Sequence, residues 1–144
     1  MRLRFYAFVL MTLAACESAS AERKVGEYRA VMASRDATVI AQFKLYLGGV
    51  GVGIWWANLF AEVPPFCRPA VTLNTENYKD ILDREIARTF DALRGAGAPE
   101  ADVSAFAATF DEIDVEFVLL NGLRTTFPCP ANPSASKPPK DPKK

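Results

Sequence analysis

Two features of the chain could support chemistry: a pair of cysteines and a run of acidic residues. Cys67 and Cys129 are the cysteines that remain once a predicted leader holding Cys16 is removed. A nucleophilic thiol needs a general base, and the 144-residue sequence contains no histidine. The same absence excludes Ser-His-Asp hydrolysis and histidine metal ligands. In an oxidising compartment, an even pair of cysteines in a small domain indicates a disulfide instead.

The acidic run lies between Asp111 and Glu116, where four of six residues are acidic. It could hold a metal ion or supply the acid pair of a glycosidic hydrolase. No calcium-loop pattern surrounds it, and spacing along the chain does not set the separation of two carboxylates in space. A helix start explains the acids better, because the helix dipole favours negative charge there. We therefore predict no catalytic residue, no metal site and no cofactor, with a carboxylate hydrolase as the least favoured alternative.

The longest uncharged stretch, from Leu45 to Ala61, contains four glycines and both tryptophans. Apolar residues occur all round its helical projection, which is typical of a helix surrounded by other helices. Gly49 and Gly53 lie four residues apart and would form a groove for a neighbouring helix. We predict the central helix of the fold here, with a membrane span as the alternative. The spacing of the glycines does not fit a nucleotide-binding loop.

Amphipathic segments on both sides of this stretch complete the predicted fold. Asp36 is a suitable N-cap for the helix that runs into the glycines, and Asn74 or Thr75 for the helix that follows them. Pro64 and Pro65 end the central helix. Further helical periodicity occurs over residues 25–34, 78–93, 98–109 and 115–127. The sequence thus predicts an all-α fold, a small bundle of four to five helices with one disulfide.

Both ends of the chain differ from this body. Residues 1–21 have the pattern of a secretory signal, with two arginines, an apolar run and Ala19-Ser20-Ala21 before the cleavage site. We predict a periplasmic domain over residues 22–129. The sequence before Cys16 also fits a lipoprotein signal, and lipidation there would bring the protein into contact with a membrane. Residues 130–144, rich in proline and lysine, are predicted to be a disordered tail.

The charge of the predicted domain argues against nucleic acid as a partner. Residues 22–129 contain eleven basic and fifteen acidic residues, which gives a net charge of −4. Proteins that bind nucleic acid usually present a basic patch or stripe to the phosphates. No such stripe is apparent in this sequence.

The order of these features resembles the Rap/Tai family, the immunity proteins against type VI secretion amidases. The resemblance covers the body from about Tyr28 to Cys129. Its motifs are Tyr46-Leu47-x-Gly49-x-x-x-Gly53 in an apolar helix, Phe66-Cys67-x-Pro69, an amphipathic helix, and Leu119, Leu120 and Leu123 before Phe127-Pro128-Cys129.

The resemblance implies a periplasmic all-α protein that binds and blocks a peptidoglycan amidase, with Cys67 bridged to Cys129. It also implies a homodimer that offers a loop to the amidase cleft. The corresponding loop here is residues 95–102, with Glu100 and Asp102 as its polar tips. The alternative function is a periplasmic accessory or chaperone-like protein of the same fold without a toxin partner, because a fold does not fix a function.

Overall fold

The computed structural model describes residues 22–130, and this part of the chain is all-α. The predicted bundle of four to five helices is therefore confirmed. The predicted signal peptide, Cys16 and residues 131–144 of the predicted tail lie outside the described residues. The helices are α1 (Val25–Ala33), α2 (Ala37–Phe60), α3 (Thr75–Gly95), α4 (Glu100–Phe110) and α5 (Val115–Thr126).

Side-chain caps begin the two longest helices, as predicted. The Asp36 carboxylate accepts the backbone N–H groups of Thr38 and Val39 at 2.9 and 3.3 Å. The side chain of Asn74 accepts the N–H of Asn77 at 3.0 Å, and the Asn77 side chain accepts the N–H of Asn74 in return. Each cap satisfies amide donors that have no partner within the helix.

The centre of the core is α3, which packs against α2, α4 and α5. Its residues Ile81 and Leu82 are buried together with Leu119 and Leu123 of α5. The two helices approach closely because α5 has Gly122 at the crossing, where a Cβ atom would lie only 2.7 Å from the Cγ2 atom of Ile81. The prediction that the glycine-rich helix α2 is the central one is therefore wrong.

Helix α2 packs against the domain on one side only. Phe43, Leu47 and Gly51 are buried on that side, whereas Leu45 is 76% exposed and Phe60 is 77% exposed. The sequence pattern was misleading because apolar residues all round a helix show that no face carries charge. They do not show that every face has a neighbour.

The close approach of α2 to α3 uses Gly51, at a position different from the predicted pair. A Cβ atom at Gly51 would overlap the ring of Tyr78. A Cβ atom at Gly49 or at Gly53 would have nothing within 4 Å of it. The prediction that Gly49 and Gly53 receive a neighbouring helix is thus wrong within this chain, because the side of α2 that carries them points away from α3.

The loop between α2 and α3 is tied to the helices at three points. Cys67 is bonded to Cys129, as predicted, with their Cα atoms 4.8 Å apart. The N–H of Cys67 also donates to the carbonyl oxygen of Phe127 at 2.8 Å. The N–H of Phe66 donates to Oδ1 of Asn58 at 3.3 Å. The buried polar side chain of α2 therefore has a partner inside the domain.

We predict that replacing both bridged cysteines by serine lowers the free energy of unfolding by about 4 kcal/mol, because the bridge restricts a long loop in the unfolded chain. Urea denaturation compared with the wild type measures the change. With the bridge reduced by dithiothreitol, the wild type should have about the same urea midpoint as the double serine variant. A double serine variant with the wild-type midpoint would contradict the stabilising role of the bridge.

Alanine substitutions should have opposite effects at two glycines of α2. Gly51→Ala should destabilise the protein by roughly 1–3 kcal/mol, because the new methyl group overlaps the Tyr78 ring. Gly53→Ala should stabilise the helix by up to about 1 kcal/mol, because alanine has the higher helix propensity and the space is open. Thermal unfolding measures both, and equal effects would contradict the orientation of α2.

Candidate functional site: two binding surfaces

The acidic run between α4 and α5 holds elements of the fold together. Asp111 forms an ion pair with Arg29 at 2.8 Å, and Asp114 forms one with Lys24 at 2.5 Å. Asp114 is also the N-cap residue of α5, which confirms the prediction of a helix start. Among residues 22–130, no group of three or more side chains could hold a metal ion. These carboxylates therefore connect α1 to the turn between α4 and α5.

Two tyrosine hydroxyls also connect helices through carboxylates. The Tyr28 hydroxyl donates to Oδ1 of Asp83 at 2.5 Å, and the Tyr46 hydroxyl donates to Oε1 of Glu116. Burial and the bond to a carboxylate raise the pKa of both phenols above the ordinary value. Both hydroxyls accordingly remain protonated donors at neutral pH, and they join α1 to α3 and α2 to α5.

The first candidate binding surface is the corner between α3 and α4, here called the corner (residues 95–102). Two backbone hydrogen bonds close it. The N–H of Gly97 donates to the carbonyl oxygen of Arg94 at 2.9 Å, and the N–H of Ala98 donates to the carbonyl oxygen of Leu93 at 3.2 Å. Gly97 has a φ angle of +77°, a left-handed conformation that glycine adopts readily after a helix. The corner thus has a defined backbone conformation.

Three phenylalanine rings support the corner from the adjoining helices. Phe90 of α3 contacts Phe106 and Phe110 of α4 in edge-to-face arrangements, with centroid separations of 5.8 and 5.5 Å. Phe106 and Phe110 stack on each other at 5.5 Å. Aromatic pairs in these geometries add to the stabilisation from burial alone. The cluster fixes the direction in which α4 leaves the corner.

The structure places both predicted tip residues in the first turn of α4. Glu100 and Asp102 are exposed, and neither forms an ion pair with another residue of the described chain. Glu100 borders a shallow groove of about 300 Å³, which Arg29 and Arg94 also line, whereas Asp102 does not border it. Their place at a helix start favours carboxylates without any ligand, so their type alone does not mark a site.

The second surface is the exposed side of α2, here called the apolar face. It is uncharged over about 22 Å of helix, from Leu45 to Phe60. The charged residue of this helix, Lys44, is paired with Glu76 of α3 at 2.8 Å. The large side chains of the apolar face, with their exposed fractions, are Leu45 (76%), Val52 (49%), Trp56 (52%), Leu59 (53%) and Phe60 (77%).

Sequence reasoning missed the apolar face because it assigned every side of α2 to the core. The lack of charge on the helix was the available signal, but it fits a covered helix and an exposed binding surface equally well. Among residues 22–130, α2 also has the length and composition that a membrane span requires. In the structure its opposite side is packed on α3.

The apolar face adjoins a pocket of about 240 Å³ at the loop between α2 and α3, which holds the disulfide-bonded Cys67. Val52, Trp55 and Tyr78 line the pocket together with Arg68 and the loop residues that follow it. The guanidinium carbon of Arg68 lies 5.7 Å from the centre of the Trp55 ring, within the range of a cation–π contact. Tryptophan and arginine are residue types that often contribute strongly to protein interfaces.

Comparisons with known proteins add no relative: no family model, no curated protein and no solved structure matches the chain. The resemblance to the Rap/Tai family is therefore based on the sequence motifs alone and stays a prediction.

We predict that Gly97→Ala destabilises the protein by about 1–2 kcal/mol, because an alanine side chain disfavours the left-handed conformation of this residue. Gly95→Ala is the matched control. It replaces a helical glycine with open space around it and should not destabilise. Urea denaturation measures both variants. A Gly97→Ala protein as stable as the control would contradict the conformation of the corner.

Proposed function

We propose that this protein is an immunity-type binding protein that occludes a secreted peptidoglycan amidase and performs no chemistry itself. The observation that carries the proposal is the corner, which is closed by its own hydrogen bonds and presents two carboxylates without partners in the described chain. A preorganised segment loses little conformational entropy on binding. Its complex can therefore dissociate slowly, which is what protection from an enzyme requires.

The side chains that could take part in catalysis are already bonded to other residues, which supports a binding function over a catalytic one. The sequence lacks histidine, Cys67 and Cys129 are joined to each other, and Asp111 and Asp114 are engaged in ion pairs. A hydrolase would need an activated nucleophile or a positioned acid and base. A function that depends on shape needs none of these groups.

The class of partner comes from the sequence resemblance. Because the motifs resemble those of the Rap/Tai family, a peptidoglycan amidase of type VI secretion is the first partner to test. The periplasm is the proposed location because of the secretory pattern in residues 1–21.

An accessory or chaperone-like function is the second candidate, and the apolar face is the observation that favours it. Exposed apolar surface of this kind can bind unfolded chains, which expose apolar segments of their own. Such a protein would bind many clients weakly, whereas an immunity protein would bind one folded enzyme tightly.

The test retains partners from periplasm on the tagged domain and identifies any peptidoglycan amidase among them, with binding then measured by calorimetry and inhibition measured by release of cell-wall peptides. We expect a stoichiometric complex in which the amidase is inactive. Replacing both Glu100 and Asp102 by arginine should weaken the complex at least about tenfold, because charges at an interface determine electrostatic complementarity.

The matched control for this experiment is Glu112→Arg, which reverses an exposed acid outside the corner and should leave inhibition unchanged. A complex in which the amidase stays fully active would contradict occlusion. Binding to unfolded proteins, together with no binding to the amidase, would support the accessory function instead.

A further inference from the structure

We propose that the pocket between α2 and the loop before α3 is a binding site for a carboxylate attached to a small aromatic or apolar group. It is here called the Arg68 pocket, and it is lined by Val52, Trp55, Tyr78 and residues 68–73. In the proposed complex, Arg68 and the Tyr78 hydroxyl bind the carboxylate. The site is separate from the corner and does not depend on the amidase.

The Tyr78 hydroxyl is a donor without a partner. Within residues 22–130 it makes no hydrogen bond, whereas the hydroxyls of Tyr28 and Tyr46 donate to carboxylates. The side chain of Tyr78 is only 4% exposed, yet its oxygen is not among the fully enclosed polar atoms of this part of the chain. Burial raises the pKa of Tyr78 above the ordinary value, so the hydroxyl stays protonated at neutral pH. It is therefore available to a ligand in the pocket that Tyr78 lines.

Arg68 supplies the positive charge of the site. Among the described residues that line the pocket it is the charged one, and within residues 22–130 it forms no ion pair. Its guanidinium carbon lies 5.7 Å from the centre of the Trp55 ring. Stacking of this kind orients a guanidinium and leaves its N–H groups free to donate. A carboxylate matches the paired donors of arginine in shape and charge.

The surroundings of the pocket favour an acid over a neutral or basic ligand. No acidic side chain lines the pocket, although residues 22–129 carry a net charge of −4. Leu73 and Tyr78 place the start of α3 beside it, and the positive end of a helix dipole favours an anion. Glu76 in the first turn of α3 is paired with Lys44 at 2.8 Å, which offsets its negative charge.

The size and the walls of the pocket indicate the rest of the ligand. A cavity of roughly 150 Å³ can hold a benzene molecule, so a volume of about 240 Å³ has room for one aromatic ring and a carboxylate. Val52, Trp55 and Leu73 provide apolar wall for the ring. Small-molecule sites usually combine such walls with a few polar groups that fix the orientation of the ligand.

The loop wall is held in place without a ligand. Cys67, the neighbour of Arg68, is bonded to Cys129, and its N–H donates to the carbonyl oxygen of Phe127 at 2.8 Å. Pro69 is buried, and its ring restricts the backbone after Arg68. Binding therefore costs little ordering of the loop.

The first experiment uses phenylacetate as the probe and the fluorescence of Trp55 as the signal. In a Trp56→Phe background, Trp55 is the single tryptophan. Phenylacetate should change its emission in a saturable way, with a dissociation constant on the order of 1 mM or lower. Phenylacetamide has nearly the same shape without the charge, and it should bind at least about tenfold more weakly.

The second experiment removes each polar group in the same background. Arg68→Gln should weaken phenylacetate binding at least about tenfold, and Arg68→Lys should retain more of the affinity. Arg35→Gln is the matched control, because Arg35 is an exposed arginine outside the pocket, and it should bind like the parent. Thermal unfolding should show that all three variants are folded.

Tyr78→Phe separates a ligand-binding hydroxyl from a structural one. It should weaken phenylacetate binding at least about threefold. It should leave the melting temperature unchanged, because the hydroxyl has no partner in the described domain and the ring that contacts Gly51 is kept.

A third measurement identifies the source of the carboxylate. N-acetyl-alanyl-phenylalanine carries the same acid and ring at the end of a short peptide. Tighter binding than phenylacetate would support the site and identify a peptide C-terminus as the ligand. Weaker binding would support it with a free aromatic acid as the ligand.

Four outcomes would overturn the proposal. They are no saturable signal with phenylacetate up to about 10 mM, equal affinity for phenylacetamide, parental affinity in Arg68→Gln, and a Tyr78→Phe protein with a lowered melting temperature and parental affinity.

Discussion

The contact between Gly51 and the ring of Tyr78 determines how the rest of the domain is arranged. Because this glycine has no side chain, α2 lies directly against α3 over its buried side. Helix α5 approaches α3 in a similar way, with Gly122 against Ile81. The small residues thus bring three helices close enough to bury a shared core. They also fix which side of α2 is covered, and the uncharged opposite side is left exposed.

The disulfide acts on the part of the molecule that these helix contacts do not hold. The bond from Cys67 to Cys129 joins the loop after α2 to the segment after α5. The hydrogen bond from the Phe66 N–H to the Asn58 side chain holds the same loop against α2. The loop is thereby held beside the end of the apolar face, where Arg68 contacts Trp55. The backbone beside the apolar face is therefore held in place, and the corner is closed separately by its own hydrogen bonds. Binding by shape requires backbone that is fixed in this way.

Much of this fold was predictable because its signals are local. The caps at Asp36 and Asn74 follow from side chains that satisfy nearby amides, and the bridge between Cys67 and Cys129 follows from the count of cysteines. The surroundings of α2 were not predictable. Its glycines at 48, 49, 51 and 53 offer more than one close-packing side, and the choice depends on Tyr78, which lies in another helix.

The candidate sites were less predictable than the fold. Glu100 and Asp102 came from the resemblance alone, and the groove beside Glu100 is formed with Arg29, a residue distant in sequence. Of the acids after α4, Asp114 and Glu116 lie at the start of α5, as predicted, whereas Asp111 is the C-cap residue of α4. The ion pairs of Asp111 and Asp114 with Arg29 and Lys24 could not be foreseen. They depend on the packing of α1 against the turn between α4 and α5.

The central claim is that the contact between Gly51 and Tyr78 turns the uncharged side of α2 away from the core, and the solvent exposure of Trp56 tests it most directly. In a Trp55→Phe variant, Trp56 is the single tryptophan of the chain, and quenching of its fluorescence by acrylamide reports whether water reaches this side of the helix. The account predicts efficient quenching and emission at long wavelength in dilute protein, because Trp56 is 52% exposed. Emission at short wavelength with little quenching, as from a buried indole, would contradict it.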